Sequence, residues 1–178
     1  MISAVGTIAV DSTQQLEQLV GVDRVIAVTQ PYRLASRELH EADTIIDIKG
    51  IRVGGPHVNV IAGPCAIESR DLLFEVGKAV KDAGASILRG GAFPNRRSSY
   101  SFQGLGLDGL KLLAEAGNEL NMPTITRSPT RRDIEVVAQY ADIFRSAHAT
   151  CQELQPAAEV GKTDKPVFIK RGMSAAIH

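Results

Sequence analysis

From about residue 58 onward, the chain alternates between two hydrophobic patterns. Short apolar runs rich in β-branched residues begin near residues 58, 86, 124, 142 and 167. Between these runs, apolar residues recur at the three- to four-residue spacing of an amphipathic helix, as at Leu72, Val76 and Val80. Strands and helices that alternate in this way predict a parallel sheet with right-handed crossovers, and hence an α/β fold.

The first part of the chain has a different pattern. Two β-branched runs, at 3–10 and 24–29, flank a stretch with helical spacing, which predicts a strand–helix–strand unit. A polar stretch follows and predicts a linker. We therefore expect a small unit at 1–32, a linker at 33–43 and a larger unit at 44–178.

The larger unit begins with two short runs, at 44–47 and 51–53, joined by Lys49-Gly50. This predicts a hairpin, because glycine supplies the positive φ of a tight turn. The chain from Val58 onward is about half as long as the roughly 250 residues of a complete β/α-barrel. Two architectures therefore stay open: an open doubly wound sheet, or about five of a barrel's eight βα units.

Composition argues against several classes of protein. Of the 178 residues, 44% are hydrophobic and 22% are charged, which is typical of a folded domain. The 20 basic residues balance 20 acidic ones, so no charge excess points to nucleic acid or a membrane surface. The sequence has neither a signal-peptide pattern nor an apolar run of about 18 residues. We expect a cytoplasmic protein without a disulfide between its two cysteines.

Candidate chemistry lies at the carboxyl ends of the predicted strands, where both architectures place their sites. Cys65 follows the first strand, Arg89 ends the second, Arg127 ends the third and Lys170 ends the fifth. Cations that recur at one sheet edge favour a local site for a phosphate or carboxylate. Lys170 is also compatible with an ordinary strand-end lysine, whereas Arg89 emerges from a buried strand and needs a partner.

The loop after the second strand carries the strongest local signal. Arg96, Arg97 and Ser98 are followed by glycines, and guanidinium groups, hydroxyls and glycine N–H groups together suit a phosphate. The competing interpretation is a solvated loop whose arginines bind nothing. Cys65 also has two interpretations, a small buried thiol or a soft ligand for a divalent metal. The histidines show no spacing that converges on it.

Four segments, at 32–40, 60–65, 88–106 and 165–172, together resemble the superfamily of 3-deoxy-heptulosonate-7-phosphate (DAHP) synthase and 3-deoxy-octulosonate-8-phosphate synthase. The resemblance is greatest to type I DAHP synthases that carry a small ferredoxin-like N-terminal domain. It implies a partial (β/α) TIM-type barrel of about five βα units, preceded by a fragment of a ferredoxin-like domain at 1–32.

The resemblance also implies a reaction and roles for individual residues. The reaction is the condensation of phosphoenolpyruvate with erythrose 4-phosphate, assisted by a divalent metal such as manganese, in aromatic amino acid biosynthesis. Cys65 matches a metal ligand, and Arg89 and Lys170 match residues that hold phosphoenolpyruvate. Arg96 and Ser98 match the loop that receives the aldose phosphate. Two further candidates for substrate contact are Arg97 and Arg127.

The sequence departs from the family pattern at several positions. Pro94 stands where the family has a substrate-binding lysine, Arg127 replaces a glutamate, and Ala149 replaces an arginine. The family's later metal ligands, a histidine, a glutamate and an aspartate, have no counterpart in these residues. We therefore expect an incomplete enzyme with little or no activity as this chain alone. The alternative is a non-catalytic module that binds a phosphate ligand or regulates a partner.

Assembly follows from the same expectation. A partial barrel leaves two strand edges and its interior side chains exposed, which predicts a homo-oligomer or a partner chain that covers them. The expected small-molecule partners are phosphoenolpyruvate and an aldose phosphate, with no nucleic acid or membrane partner. A further alternative is a decaying sequence that folds poorly.

Overall fold

The computed structural model describes residues 10–25, 37, 42–94, 98, 100–127, 133–145 and 159–170. The chain divides into two compact units, 1–43 and 44–178. In the first unit, the helix α1 spans Val10–Glu17. The two strands predicted for this unit lie largely outside the described residues, and Val10, at the end of the first, is helical instead. The ferredoxin-like fragment and the three-part division of the chain stay predictions.

In the larger unit, strands and helices alternate after an initial hairpin. The hairpin strands, which pair antiparallel, are β1 (Ile46–Ile48) and β2 (Ile51–Val53). The parallel strands are β3 (Ile61–Ala62), β4 (Ile87–Arg89), β5 (Thr124–Arg127), β6 (Ile143–Arg145) and β7 (Val167–Phe168). The described helices between them are α2 (Arg70–Asp82), α3 (Leu107–Glu119) and α4 (Ile134–Tyr140). The predicted α/β alternation is confirmed for these elements.

The five parallel strands lie side by side in chain order, β3-β4-β5-β6-β7. A doubly wound sheet reverses its direction of growth at a switch point, and this order contains no reversal. Each strand is instead added on the same side of the previous one, as in a β/α-barrel. The unit is therefore a partial barrel, and the doubly wound alternative is wrong.

Alternate strand residues pack on the two faces of the sheet. On one face, Leu88 and Phe144 join a buried core with helix residues such as Leu113. The opposite face carries a second core, whose buried residues are Ile87, Ile125, Ile143 and, from the hairpin, Ile48. Because side chains alternate along a strand, the residue two positions after each strand isoleucine also lies on this second face.

The hairpin covers the amino end of the sheet. Lys49 in the hairpin turn places its Nζ 3.0 Å from Asp142 Oδ1, and Asp142 immediately precedes β6. The backbone N–H and the hydroxyl of Thr124 donate to Asp142 Oδ2 at 2.8 and 2.9 Å. Asp142 thus joins the first residue of β5 to the hairpin and uses both carboxylate oxygens.

The helices are amphipathic, with one face on the sheet. In α2, the Leu72 N–H donates to Ser69 Oγ at 3.3 Å, which satisfies one of the free N–H groups of the first turn. Asp71 lies in that turn, where a negative charge interacts favourably with the helix dipole. Leu73 is buried against the sheet. Among the helices in the described ranges, none is long and apolar enough to cross a bilayer.

Candidate anion-binding site

Three adjacent strands end in the same pattern, an isoleucine, one intervening residue and an arginine. The arginines are Arg89 on β4, Arg127 on β5 and Arg145 on β6. Each follows an isoleucine of the second core by two positions, so the three side chains project from the same face of the sheet. Arg127 and Arg145 are paired across β5 and β6, and Arg89 is paired with Ile125. The carboxyl end of the sheet therefore concentrates positive charge.

No salt bridge joins Arg89, Arg127 or Arg145 to a carboxylate of the described residues. Arg127 Nε is buried and has no hydrogen-bond acceptor in the described part of the chain. The pKa of Arg145 is lowered, first by desolvation and then by the charges of Arg89 and Arg127, while Cys65 opposes this shift. A cluster of partly buried like charges is unfavourable by itself and favours the binding of an anion.

Cys65 lies beside Arg89 at the same end of the sheet. Its side chain is exposed, and the Arg89 guanidinium donates to its Sγ at 3.2 Å. Two glycines allow this approach. A Cβ on Gly63 would lie 2.0 Å from the Arg89 carbonyl oxygen, and one on Gly91 would lie 2.2 Å from the Cys65 carbonyl oxygen. The loops after β3 and β4 therefore pack backbone against backbone, and the buried-thiol interpretation of Cys65 is wrong.

The described residues around Cys65 do not fit a divalent metal ion. A metal site usually takes three or more protein ligands. In the ranges that the structure describes, no group of three or more histidine, cysteine, aspartate or glutamate side chains could hold a metal. The group that faces the thiol is the Arg89 guanidinium, whose charge repels a cation. The metal role of Cys65 stays a prediction, which requires ligands from outside these ranges.

Of the predicted phosphate loop, the structure describes Ser98 but not Arg96 or Arg97. Ser98 is exposed, and its Oγ accepts a hydrogen bond from the Tyr100 N–H at 3.3 Å. Its carbonyl oxygen accepts one from Gln103 Nε2 at 3.0 Å. Ser98 therefore belongs to a locally hydrogen-bonded turn. Its role in substrate binding and those of the two arginines stay predictions.

Lys170 lies two residues beyond β7, at the same end of the sheet as the strand-end arginines. Its side chain is exposed. Phe168, the last residue of β7, is paired with Arg145 across the sheet. This placement agrees with a substrate contact and also with an ordinary strand-end lysine, so both interpretations of Lys170 stay open.

Thr126 fixes the relative position of two of the strand ends. Its side chain is 2% exposed, and its hydroxyl donates to the Gly90 carbonyl oxygen at 2.6 Å. Gly90 directly follows Arg89, and Thr126 directly precedes Arg127. This buried hydrogen bond therefore holds the backbones that carry the two arginines side by side.

Sequence reasoning missed Arg145. The strand near Ile143 is predicted from its apolar pattern, but that prediction assigns no role to the arginine that ends the strand. A usable signal was the repeat of the Ile-x-Arg pattern at 87–89, 125–127 and 143–145. Arg127, which sequence reasoning gave only as a further candidate, lies on the same face as Arg89.

Known enzymes resemble this chain over most of its length. Residues 3–178 match the model of the DAHP synthetase I family. A phospho-2-dehydro-3-deoxyheptonate aldolase of Thermotoga maritima is 39% identical over 163 residues, which are 92% of this chain and 48% of that protein. A 2-dehydro-3-deoxyphosphooctonate aldolase of Bordetella petrii is 34% identical over 126 residues, 67% of this chain and 44% of that protein. The chain thus spans about half the length of the curated relatives it matches.

Solved structures have the same fold. The crystal structure of a DAHP synthase from Thermotoga maritima matches with a TM-score of 0.80 at 37% identity, over 97% of this chain and 51% of that one. A truncated form of 3-deoxy-D-arabino-heptulosonate 7-phosphate synthase from Thermotoga maritima matches with a TM-score of 0.74 at 36% identity, over 82% of this chain and 52% of that one. This chain therefore has the fold of about half of each of these solved chains.

Proposed function

Since the chain belongs to the DAHP synthetase I family, we propose that it binds the phosphorylated substrates of the family reaction, phosphoenolpyruvate and erythrose 4-phosphate. The observation that carries the proposal is the position of the Arg89 guanidinium. This guanidinium is half-buried at the carboxyl end of β4, on the same face as Arg127 and Arg145, and pairs with no carboxylate of the described ranges. A partly desolvated guanidinium without an internal counter-charge suits a phosphorylated ligand.

In this proposal the two substrates have separate contacts at one end of the sheet. Arg89 and Lys170 hold phosphoenolpyruvate, and Arg96 and Ser98 receive the aldose phosphate. A guanidinium fork bonds two oxygens of one phosphate, whereas a lysine acts as a point charge. Residues that hold two reactants side by side accelerate a condensation, because the entropy of bringing them together is lost on binding. The further candidates for these contacts are Arg97 and Arg127.

We expect binding without efficient turnover from this chain assayed by itself. The family generally depends on a metal ion, and the described residues do not supply a set of ligands for one. Pro94 also stands at the position of a family lysine. A non-catalytic phosphate-binding module is the second candidate function. The hydrogen bond from Arg89 to Cys65 favours it, because that bond puts a cation against the predicted metal ligand.

Calorimetric titration with phosphoenolpyruvate tests the binding. Arg89→Ala should weaken binding by about 2 kcal/mol, roughly thirtyfold, because a hydrogen bond to a charged group contributes about 1.5–3 kcal/mol. Arg52→Ala is the matched control. It removes an equal charge from an exposed position of the hairpin, at the opposite end of the sheet, and should leave the affinity unchanged. Equal affinities of the parent and Arg89→Ala proteins would contradict the proposal.

An activity assay separates the two candidate functions. Phosphate release from phosphoenolpyruvate plus erythrose 4-phosphate is measured with added manganese in the absence of oxygen. If the chain is a non-catalytic module, we expect no phosphate release above background. Turnover with formation of the heptulosonate product would rule it out and would assign the complete reaction to this chain.

We further propose that a second polypeptide, either another copy of this chain or a different one, covers the sheet. In the described sheet, β3 and β7 each pair with a strand on one side only. Val167, Phe168 and Ile169 at one of these edges are 40, 46 and 68% exposed. Open strand edges with exposed apolar side chains favour association. Light scattering coupled to size-exclusion chromatography should give a mass above that of the monomer, and a stable monomer would refute this.

A further inference from the structure

Arg127 and Arg145 stand side by side at the carboxyl end of the sheet. They are paired residues of β5 and β6, and Phe168 of β7 continues the same row. Two positions earlier on the same strands, Ile125 and Ile143 form a buried pair of the second core. The two arginine side chains therefore leave the sheet next to an apolar surface, on the face that also carries Arg89.

The protein offers these two arginines little compensation for their charge. Both are half-buried, and Arg127 Nε has no acceptor in the described ranges. The charges of Arg89 and Arg127 act on Arg145 and lower its pKa, after the larger effect of desolvation. Within those ranges no carboxylate pairs with any of the three, and the Cys65 thiol takes one N–H of Arg89 alone. A counter-charge has to come from another molecule or another part of the chain.

The missing counter-charge defines the chemistry of the ligand. Guanidinium groups present N–H forks that match two oxygens of a tetrahedral oxyanion. A dianion offsets the charges of two arginines, whereas a single carboxylate offsets one. The neighbouring isoleucines limit the access of water, which strengthens the attraction between the guanidinium groups and an anion. These requirements select a phosphate group, either free or as a phosphate monoester.

We propose that Arg127 and Arg145 form a subsite for a phosphate dianion, next to the Arg89 contact with Cys65. The inference rests on the proposed function and deepens it, because it names the groups that receive the phosphate at the same end of the sheet. Arg89 then meets a second anionic group of the same ligand, such as a carboxylate. Arg145, to which the sequence pattern assigned no role, becomes a ligand-binding residue.

Thermal unfolding with and without inorganic phosphate tests the subsite. Without phosphate, Arg145→Gln should unfold at a higher temperature than the parent, because one of three neighbouring like charges is removed. With phosphate, the same variant should bind at least about tenfold more weakly, because the guanidinium fork is lost. If Arg145 had a purely structural role, Arg145→Gln would lower the unfolding temperature both with and without phosphate. A higher unfolding temperature without phosphate, together with weaker phosphate binding, therefore identifies a binding role.

Three further variants control the result. Arg127→Gln should give the same two effects as Arg145→Gln. Arg145→Lys keeps the charge but not the fork and should retain part of the phosphate affinity. Arg52→Gln, at the opposite end of the sheet, should change neither quantity. Equal stabilisation of the parent and Arg145→Gln proteins by phosphate overturns the subsite.

The phosphoenolpyruvate titration separates this inference from the proposed function. If phosphoenolpyruvate binding needs Arg89 but not Arg145, the subsite is overturned and the proposed function stands. If inorganic phosphate binding needs Arg145 and phosphoenolpyruvate does not bind, the subsite is supported and the proposed function is contradicted. When both bind through Arg145, the tighter of the two ligands tells whether the subsite takes a phosphate ester or free phosphate.

Discussion

The two ends of the parallel sheet differ in whether their charged side chains are paired. At the amino end, the Asp142 carboxylate accepts hydrogen bonds from Thr124 and pairs with Lys49. At the carboxyl end, Arg127 and Arg145 stand together and pair with no carboxylate of the described ranges. The same strands therefore carry a stabilising network at one end and a cluster of like charges at the other.

This difference distinguishes charged groups that stabilise the fold from charged groups that suit a ligand. A buried polar group that loses its partner costs about 1–3 kcal/mol, and most such groups in proteins are therefore paired. Local conflicts of this kind persist mainly at functional sites, where a ligand removes them. In β/α-barrels the functional end is the carboxyl end of the strands, which is also where the conflict occurs in this chain. The contacts of Asp142 at the amino end instead join elements of the fold to one another.

The largest expected effect concerns the backbone that holds the carboxyl end together. Gly63→Ala should lower the free energy of unfolding by about 3 kcal/mol or more, because the new Cβ would lie 2.0 Å from the Arg89 carbonyl oxygen and φ at this position is 142°. Gly84→Ala is the matched control. Its φ is 93°, and its Cβ would meet nothing within 4 Å.

The control isolates the backbone strain from the steric clash. Gly84→Ala should lower the free energy of unfolding by about 1 kcal/mol, the usual strain of a non-glycine residue at positive φ. Urea denaturation measures both variants. Equal losses would mean that the loops after β3 and β4 separate at no cost, and the fixed approach of Cys65 to Arg89 would then be wrong.

The next effect tests the amino end. Asp142→Ala should lower the free energy of unfolding by about 2–3 kcal/mol, because the N–H and the hydroxyl of Thr124, a residue 1% exposed, lose their acceptor. Asp108→Ala is the control, since this carboxylate is 79% exposed and pairs with Lys111 one helical turn away. Its loss should be about 0.5 kcal/mol or less. Similar losses for both variants would break the contrast between the two ends of the sheet.

The smallest effect has the most informative sign. Without phosphate, Arg145→Gln should raise the free energy of unfolding by about 0.5 kcal/mol, because a desolvated like charge is removed and solvent screens much of the gain. The loss of a charge thus stabilises the carboxyl end, whereas the loss of Asp142 destabilises the amino end. Urea denaturation in phosphate-free buffer measures both. A decrease for Arg145→Gln would show that the two ends are alike.

Periodicity predicted the elements of the larger unit well, because each strand and helix buries one face. The predicted strand starts near residues 86, 124 and 142 agree with β4, β5 and β6. The first parallel strand was predicted from Val58, but β3 begins at Ile61. Val58 and Val60 are 91 and 50% exposed, so their apolar character does not reflect burial in this structure.

The candidate site could be predicted in part. Arg89 and Arg127 end predicted strands, and this was enough to place both at the carboxyl end of the sheet. The hydrogen bond from Arg89 to Cys65 could not be predicted, because it depends on how closely two loops pack. Arg145 could have been found from the repeated Ile-x-Arg pattern. Its closeness to Arg127 follows only from the register of β5 and β6.

By itself, the sequence determined the α/β class, the order of strands and helices, and the presence of cations at strand ends. These properties are local, because hydrophobic periodicity and strand-end position are set by neighbouring residues. Only the tertiary structure decided the strand order, the pairing of Arg127 with Arg145 and the position of Cys65 against a guanidinium. Those properties depend on register and on packing between segments far apart in the chain, and a shift of one residue would move each side chain to the other face.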